Sequence, residues 1–404
     1  MTVAKKVKIA ELDIVRALCI LAVIIVHATS YATIQLVDSQ YFVFYNFMNI
    51  FMKYGTPTFI AMSAFVLFYN YNDRPLNREL IFGFYKKRLL YILLPYFIFS
   101  LFYFTLSQFI AGSGSLWSTE MLLNFINKLI TGKAYTHLYF VFINVQFYLL
   151  FPLLLLLFKK YPGLKKWSII AGIAIQWLFI LGNKYQFHVS SRGSWCFTYF
   201  SYYMLGAWLG MYYPAIKAWL IQEHREMKQK QPGQEQGSQA HPSRGLLLRG
   251  LWAIWLCSGI SHTYVWYQSR VHGTQFNGLI YDFLYSVFAV TSLPVLMLAV
   301  HYLLSKKQLS SLGLSLKRLG SLSFGVYLIH PFFLLVYRQL SPAISSAWLL
   351  HLWYFGGFIA ALCCSWIAVG LVARYFRYGW VFFGNLPKSN VKQPELFEHS
   401  HKFS

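Results

Sequence analysis

ELDIVRALCILAVIIVH, residues 11–27, is the stretch whose reading decides the fold. The apolar run continues to about residue 35, and a bilayer-spanning helix needs roughly 20 mostly apolar residues. Beyond Glu11 at its start, three ionisable groups interrupt it: Asp13, Arg16 and His27. Such groups are costly in a membrane and by default mark a functional site. At 100° per residue, Arg16 and His27 are separated by three turns plus about 20°, and Asp13 falls within about 40° of the same line. All three therefore share one face of a helix otherwise built from Leu, Ile, Val and Ala. Asp13 and Arg16 can pair at i, i+3. His27 lies about 21 Å further along the axis than Asp13. The plainer reading is an interfacial ion pair and a histidine bonded inside the bundle, but the common face argues for one path.

Outward from this helix the same pattern repeats. The chain of 404 residues is 57% hydrophobic and 12% charged, against about 25% charged in a soluble domain. Aromatic residues make up 20%, as interfacial belts of Trp and Tyr require. Ten apolar runs are long enough to span: 11–35, 43–71, 90–111, 137–158, 167–183, 194–214, 248–267, 278–304, 320–338 and 348–373. The second is interrupted at Gly55-Thr56-Pro57, where proline removes a backbone donor and kinks the helix. With the N-terminus inside, the inner segments hold 27 Lys and Arg and the outer ones 7. That bias predicts an all-α bundle with both ends cytoplasmic. Losing or gaining one helix would break the alternation.

The domain expectation follows. Residues 1–378 form one transmembrane domain, and 379–404 a short cytoplasmic tail. A Gln-, Gly- and Pro-rich stretch at about 215–247 reads as a disordered cytoplasmic linker. No cleavable signal peptide and no extramembrane catalytic domain are expected.

A net charge of +23 would suggest nucleic acid in a soluble protein. Here the basic residues sit in short loops between apolar runs, so nucleic-acid binding is excluded. Cys19, Cys196, Cys257, Cys363 and Cys364 all lie within apolar runs and read as small core residues. No cluster has metal-ligand spacing, and no metal is expected. There is no G-x-S-x-G elbow, phosphate-binding loop or dinucleotide fingerprint.

Further polar groups lie within or beside spans. His330 precedes Pro331 in an otherwise apolar helix, and Asp282, His262 and His301 are weaker candidates. Lys86, Lys87 and Arg88 begin the third run. They read either as a positive-inside anchor or as a site for phosphates.

At ELDIVRALCILAVIIVH the pattern resembles the membrane acyltransferase family 3, whose first helix carries Arg, ten residues, then His. GTPTFIAMSAFVLF (55–68), YKKRLLYILLPY (85–96), HLYFVFINVQFYLLFP (137–152) and SFGVYLIHP (323–331) resemble later family segments in the same order. Tyr91 stands where many members have a second Arg, and Asn144-Val145 where many are acidic. The chain looks like the stand-alone bacterial branch, without a fused esterase-like domain.

This resemblance implies a multi-pass enzyme of the bacterial plasma membrane. It would move an acyl group, in the expected case acetyl, from cytoplasmic acyl-CoA to a hydroxyl of an extracytoplasmic carbohydrate. On that reading Arg16, Lys86, Lys87 and Arg88 bind CoA phosphates. Asp13 holds Arg16, and His27 is the general base. His137, Asn144, Tyr327 and His330 line the substrate path. An acyl-imidazole on His27 is left open. The competing class is a polysaccharide or small-molecule transporter, because polar residues in spans also mark transport routes.

Overall fold

The computed structural model describes Lys6 and residues 9–112, 118–229, 242–305, 310–340 and 346–387. In chain order the helices are α1 (Ala10–Thr29), α2 (Ala32–Gln35), α3 (Phe42–Phe51), α4 (Gly55–Tyr71), α5 (Arg78–Arg88), α6 (Leu94–Ile110), α7 (Thr119–Thr131) and α8 (Tyr139–Lys160). They continue as α9 (Ser168–Gly182), α10 (Phe200–Gln229), α11 (Pro242–Val271), α12 (Gly278–Ser305), α13 (Ser310–Gln339), α14 (Ala347–Tyr375) and α15 (Trp380–Phe383). No strand occurs among the described residues.

Eight helical stretches among the described residues are long and apolar enough to cross a membrane. They are Ala10–Gln35, Phe42–Tyr71, Arg78–Ile110, Tyr139–Lys160, Pro162–Phe187, Gly278–Leu304, Ser311–Gln339 and Trp348–Tyr375. The two other expected runs, 194–214 and 248–267, fall within or largely overlap α10 and α11.

The bundle is apolar outside and partly polar inside. On α8, Leu149, Leu153 and Leu156 form an exposed stripe at i, i+4 and i+7. Leu352, Phe355 and Ile359 form another, at i, i+3 and i+7, on α14. Asp13, Asn144, His137 and His330 are buried. A soluble helix orders its faces the other way; lipid rewards this one. The chain is an all-α integral membrane protein.

α1 is the central helix and packs against α13, α4, α12, α14 and α3. Its approach to α13 depends on Gly320. A Cβ there would lie 1.7 Å from the Asp13 carbonyl oxygen. On the other side of the bundle, a Cβ on Gly206 of α10 would lie 1.9 Å from the Ala61 carbonyl oxygen of α4. Small residues let membrane helices come this close, where packing rather than the hydrophobic effect drives association.

Two prolines set the local geometry of the site. Pro57 has no N–H, so the Lys53 carbonyl loses its helical donor. The chain tightens into a 3₁₀ turn at Met52–Tyr54, and the Tyr285 hydroxyl donates to the Lys53 oxygen at 3.2 Å. Pro331 likewise frees the Tyr327 carbonyl. There His330 supplies the donor: its Nδ1–H bonds the Tyr327 oxygen at 2.8 Å.

The structure departs from the sequence expectations in five places. The third run was expected from residue 90, but helix begins at Arg78 and passes a widened π turn at Leu89–Leu93. Lys86–Arg88 therefore end α5 rather than open a span. The loop after α6 contains α7, which was not expected. Ser118 caps it by accepting from the Met121 N–H at 3.2 Å, and Gly132 ends it with φ of 71°. At 13 residues α7 is too short to span; it exposes Leu122, Leu123, Ile126 and Ile130, the pattern of an interfacial helix. Helix enters the expected linker from both sides, to Gln229 and from Pro242, and residues 230–241 lie outside the described residues. Cys19 and Cys196 are buried as expected, but Cys257, Cys363 and Cys364 are exposed on the outer surface. The first part of the expected tail, α15, packs against α6 and α13; residues 388–404 lie outside the described residues.

Candidate functional site

Arg16 Nη1 donates to Asp13 Oδ1 at 2.7 Å, with the carboxylate buried and the guanidinium partly open. The open side of Arg16 faces a cavity of about 220 Å³, which Arg88, Asn144, Tyr148, Ser63 and Tyr327 also line. Arg88 lies over the Tyr148 ring, 4.7 Å from its centroid. This places two guanidiniums in one cavity. It also separates the three basic residues that adjoin in sequence. Arg88 reaches the Arg16 cavity, Lys86 lines a neighbouring apolar groove, and both lysines are exposed.

A larger cavity of about 580 Å³ opens at His27. Lys53, Arg192, His262, Trp266, Asp282 and Tyr285 are among its walls. Arg192 and Asp282 form a two-bond ion pair at 2.9 and 2.7 Å. The two cavities share helices: Thr56 and Tyr139 line the His27 cavity, while Phe59 and Phe140 line the Arg16 cavity. On α1 their markers are about 16 Å apart along the axis.

Three histidines cluster at the edge of the larger cavity, which His27 lines. The His27 and His330 ring centroids are 5.2 Å apart, and those of His330 and His137 5.7 Å. His330 is wholly buried, whereas His27 is partly open to its cavity. Because a carbonyl can only accept, the His330 bond to Tyr327 puts its proton on Nδ1 and leaves Nε2 as an acceptor. That Nε2 is buried and has no donor among the described residues. His137 Nε2–H bonds the Leu328 oxygen at 3.2 Å, which leaves its buried Nδ1 in the same state. The Tyr327 hydroxyl donates to the His137 carbonyl, tying α13 to the start of α8.

Of the residues expected from sequence, Asp13 and Arg16 are thus joined, with Arg88, Asn144 and Tyr327, at one cavity. His27 is joined with His330 and His137 at the edge of the other. His301 is elsewhere, 3.4 Å from Glu11. Asp282 and His262, weak candidates by sequence, line the His27 cavity. Lys53, Arg192, Trp266 and Arg338 had no local signal. The first three come from separate segments, and Arg338 from the end of α13.

Comparison with known proteins bears on this site. Residues 9–370 match a family model described as an acyltransferase domain. Relatives at 22% identity over 401 residues, covering 96% of this chain and 99% of theirs, include probable poly-beta-1,6-N-acetyl-D-glucosamine export proteins of Staphylococcus aureus strains MRSA252 and N315. No solved structure matches the chain. Because the match runs from Ile9 to Gly370 and so through α1 to most of α14, this multi-pass bacterial membrane protein belongs to the acyltransferase family 3.

Proposed function

We propose that the protein transfers an acyl group, acetyl in the simplest case, from cytoplasmic acyl-CoA to a hydroxyl of an extracytoplasmic carbohydrate. The observation that supports this most is the pair of cavities on the single polar face of α1, one with Arg16 and Arg88, the other with His27. In the orientation that the charge bias predicts, the first faces the cytoplasm. Two guanidiniums suit the phosphates of CoA, since Arg binds phosphate bidentately. The His27 cavity is large and carries Trp266, Tyr281 and Tyr285, flat faces on which sugar rings can stack.

The acyl thioester then runs along α1 toward His27. His27 takes the proton of the sugar hydroxyl as its oxygen bonds the acyl carbon. The C–S bond breaks, and the CoA thiolate takes the proton from the imidazolium. His330, whose ring centroid lies 5.2 Å from that of His27, orients the imidazole. Asp13 keeps Arg16 extended toward the donor.

A second reading, polysaccharide export without acyl transfer, is favoured by the names of the relatives. One experiment separates the two. Purified protein in lipid is given acyl-CoA and an oligosaccharide, with free CoA thiol and acylated sugar both measured. Transfer is expected, and His27→Ala is expected to lose about 10²–10⁴-fold in rate while still binding CoA. Near-normal transfer by folded His27→Ala would remove the base, and no transfer by wild-type protein would put export ahead.

A further inference from the structure

We propose that the His27 cavity holds an anion-binding subsite, built on Lys53, that selects a glycan bearing a carboxylate or phosphate. This rests on the reading above, in which the glycan occupies that cavity.

The charged side chains lining the cavity are Lys53, Arg192 and Asp282. Asp282 is taken up by both bonds of Arg192. That pair is neutral, and the positive charge of Lys53 is left over. Among the described residues no carboxylate forms an ion pair with Lys53. Its ammonium sits 5.1 Å from the centroid of the Trp266 ring, and the Arg270 guanidinium is at 5.1 Å from the same ring. Arg270 adds to the positive field rather than offsetting it. A lysine within a membrane span normally faces a partner, and here the side chain lines open space instead.

A second group makes the same demand. Trp266 Nε1–H donates to His262 Nε2 at 3.1 Å, so the neutral imidazole carries its proton on Nδ1. His262 is 3% exposed, and that Nδ1 has no acceptor among the described residues. A buried donor and an uncompensated ammonium in one cavity wall both call for an anionic acceptor. Lys53 sits in the 3₁₀ turn between α3 and α4, next to the break that Pro57 imposes.

The test is binding alone, without thioester, to the purified full chain in lipid nanodiscs. Three forms of one oligosaccharide are titrated calorimetrically: neutral, bearing a uronic carboxylate, and bearing a phosphate monoester. An anionic form is expected to bind about tenfold tighter than the neutral one, as one net charge-assisted contact provides. The form that gains identifies the anion. Lys53→Met is expected to abolish the preference and Lys53→Arg to keep it, and added salt to narrow it. Equal binding of all three, binding of none, or a preference that survives in folded Lys53→Met would overturn the proposal. Anion preference intact in a protein that transfers no acyl group would instead overturn the transferase reading alone.

Discussion

Arg338, at the end of α13, holds the last turn of α1: its Nη2 donates to the His27 carbonyl oxygen at 2.8 Å and to Ser30 Oγ at 3.2 Å. The guanidinium also covers the Tyr31 ring at 3.6 Å. A cation at a helix C-terminus satisfies orphan carbonyls and complements the dipole. Here the carbonyl it grips belongs to His27, the residue proposed as base. Arg338→Ala removes a charged hydrogen bond of about 1.5–3 kcal/mol and lets His27 drift. A small misplacement can cost about 10²-fold. The expected result is a kcat lowered ten- to a hundredfold with little change in KM for acyl-CoA, partly restored by Arg338→Lys. Steady-state kinetics check this; wild-type kcat in Arg338→Ala would mean that packing alone places His27.

On the proposed mechanism His330 acts through His27, which sets its expected signature apart from that of the base. His330→Ala should lower kcat less than His27→Ala and shift the pH profile of the rate, because the imidazole loses its neighbouring acceptor. His330→Gln, whose side chain can accept a hydrogen bond, should recover part of the loss. An unchanged pH profile in a slow His330→Ala protein would assign it to packing only.

The donor prediction follows from the separation of three adjacent basic residues. Arg88→Gln should weaken CoA binding by about 1.5–3 kcal/mol, the range for a hydrogen bond to a charged group. Lys86→Gln and Lys87→Gln, both at exposed positions, should change it by no more than a few tenths of a kcal/mol, as at most surface sites. Calorimetric titration with CoA compares them. A larger loss from the lysines than from Arg88 would move the phosphates out of the Arg16 cavity.

Gly320→Ala tests the helix contact that sets the register of the site. A Cβ at 1.7 Å from the Asp13 oxygen must push α13 off α1, and overpacking of this kind costs typically 1–3 kcal/mol. Lower thermal stability in detergent is expected, together with slower transfer, because His330 rides on the displaced helix. Gly250→Ala is the control, with nothing within 4 Å of its new Cβ. Equal stability of the two variants would show that α13 can shift freely.

What the sequence determined by itself is local in origin. Each spanning run is legible because lipid demands about twenty apolar residues in a row. The common face of Asp13, Arg16 and His27 is legible because the period of one helix places all three. The resemblance in five ordered segments pointed to the family that the match over residues 9–370 shows. α7 was missed because thirteen amphipathic residues fall below the spanning length. Only the tertiary structure decided which distant helices meet. It brought His330 and His137, 193 positions apart in the chain, to neighbouring rings, and set Arg88 rather than Lys86 beside Arg16. It assembled Lys53, Arg192 and the His262–Trp266 pair of α11 from three separate segments into one cavity wall. No period within a helix encodes such meetings. They follow from close approach at glycines such as Gly320 and from the breaks that Pro57 and Pro331 impose, which act between helices rather than along them.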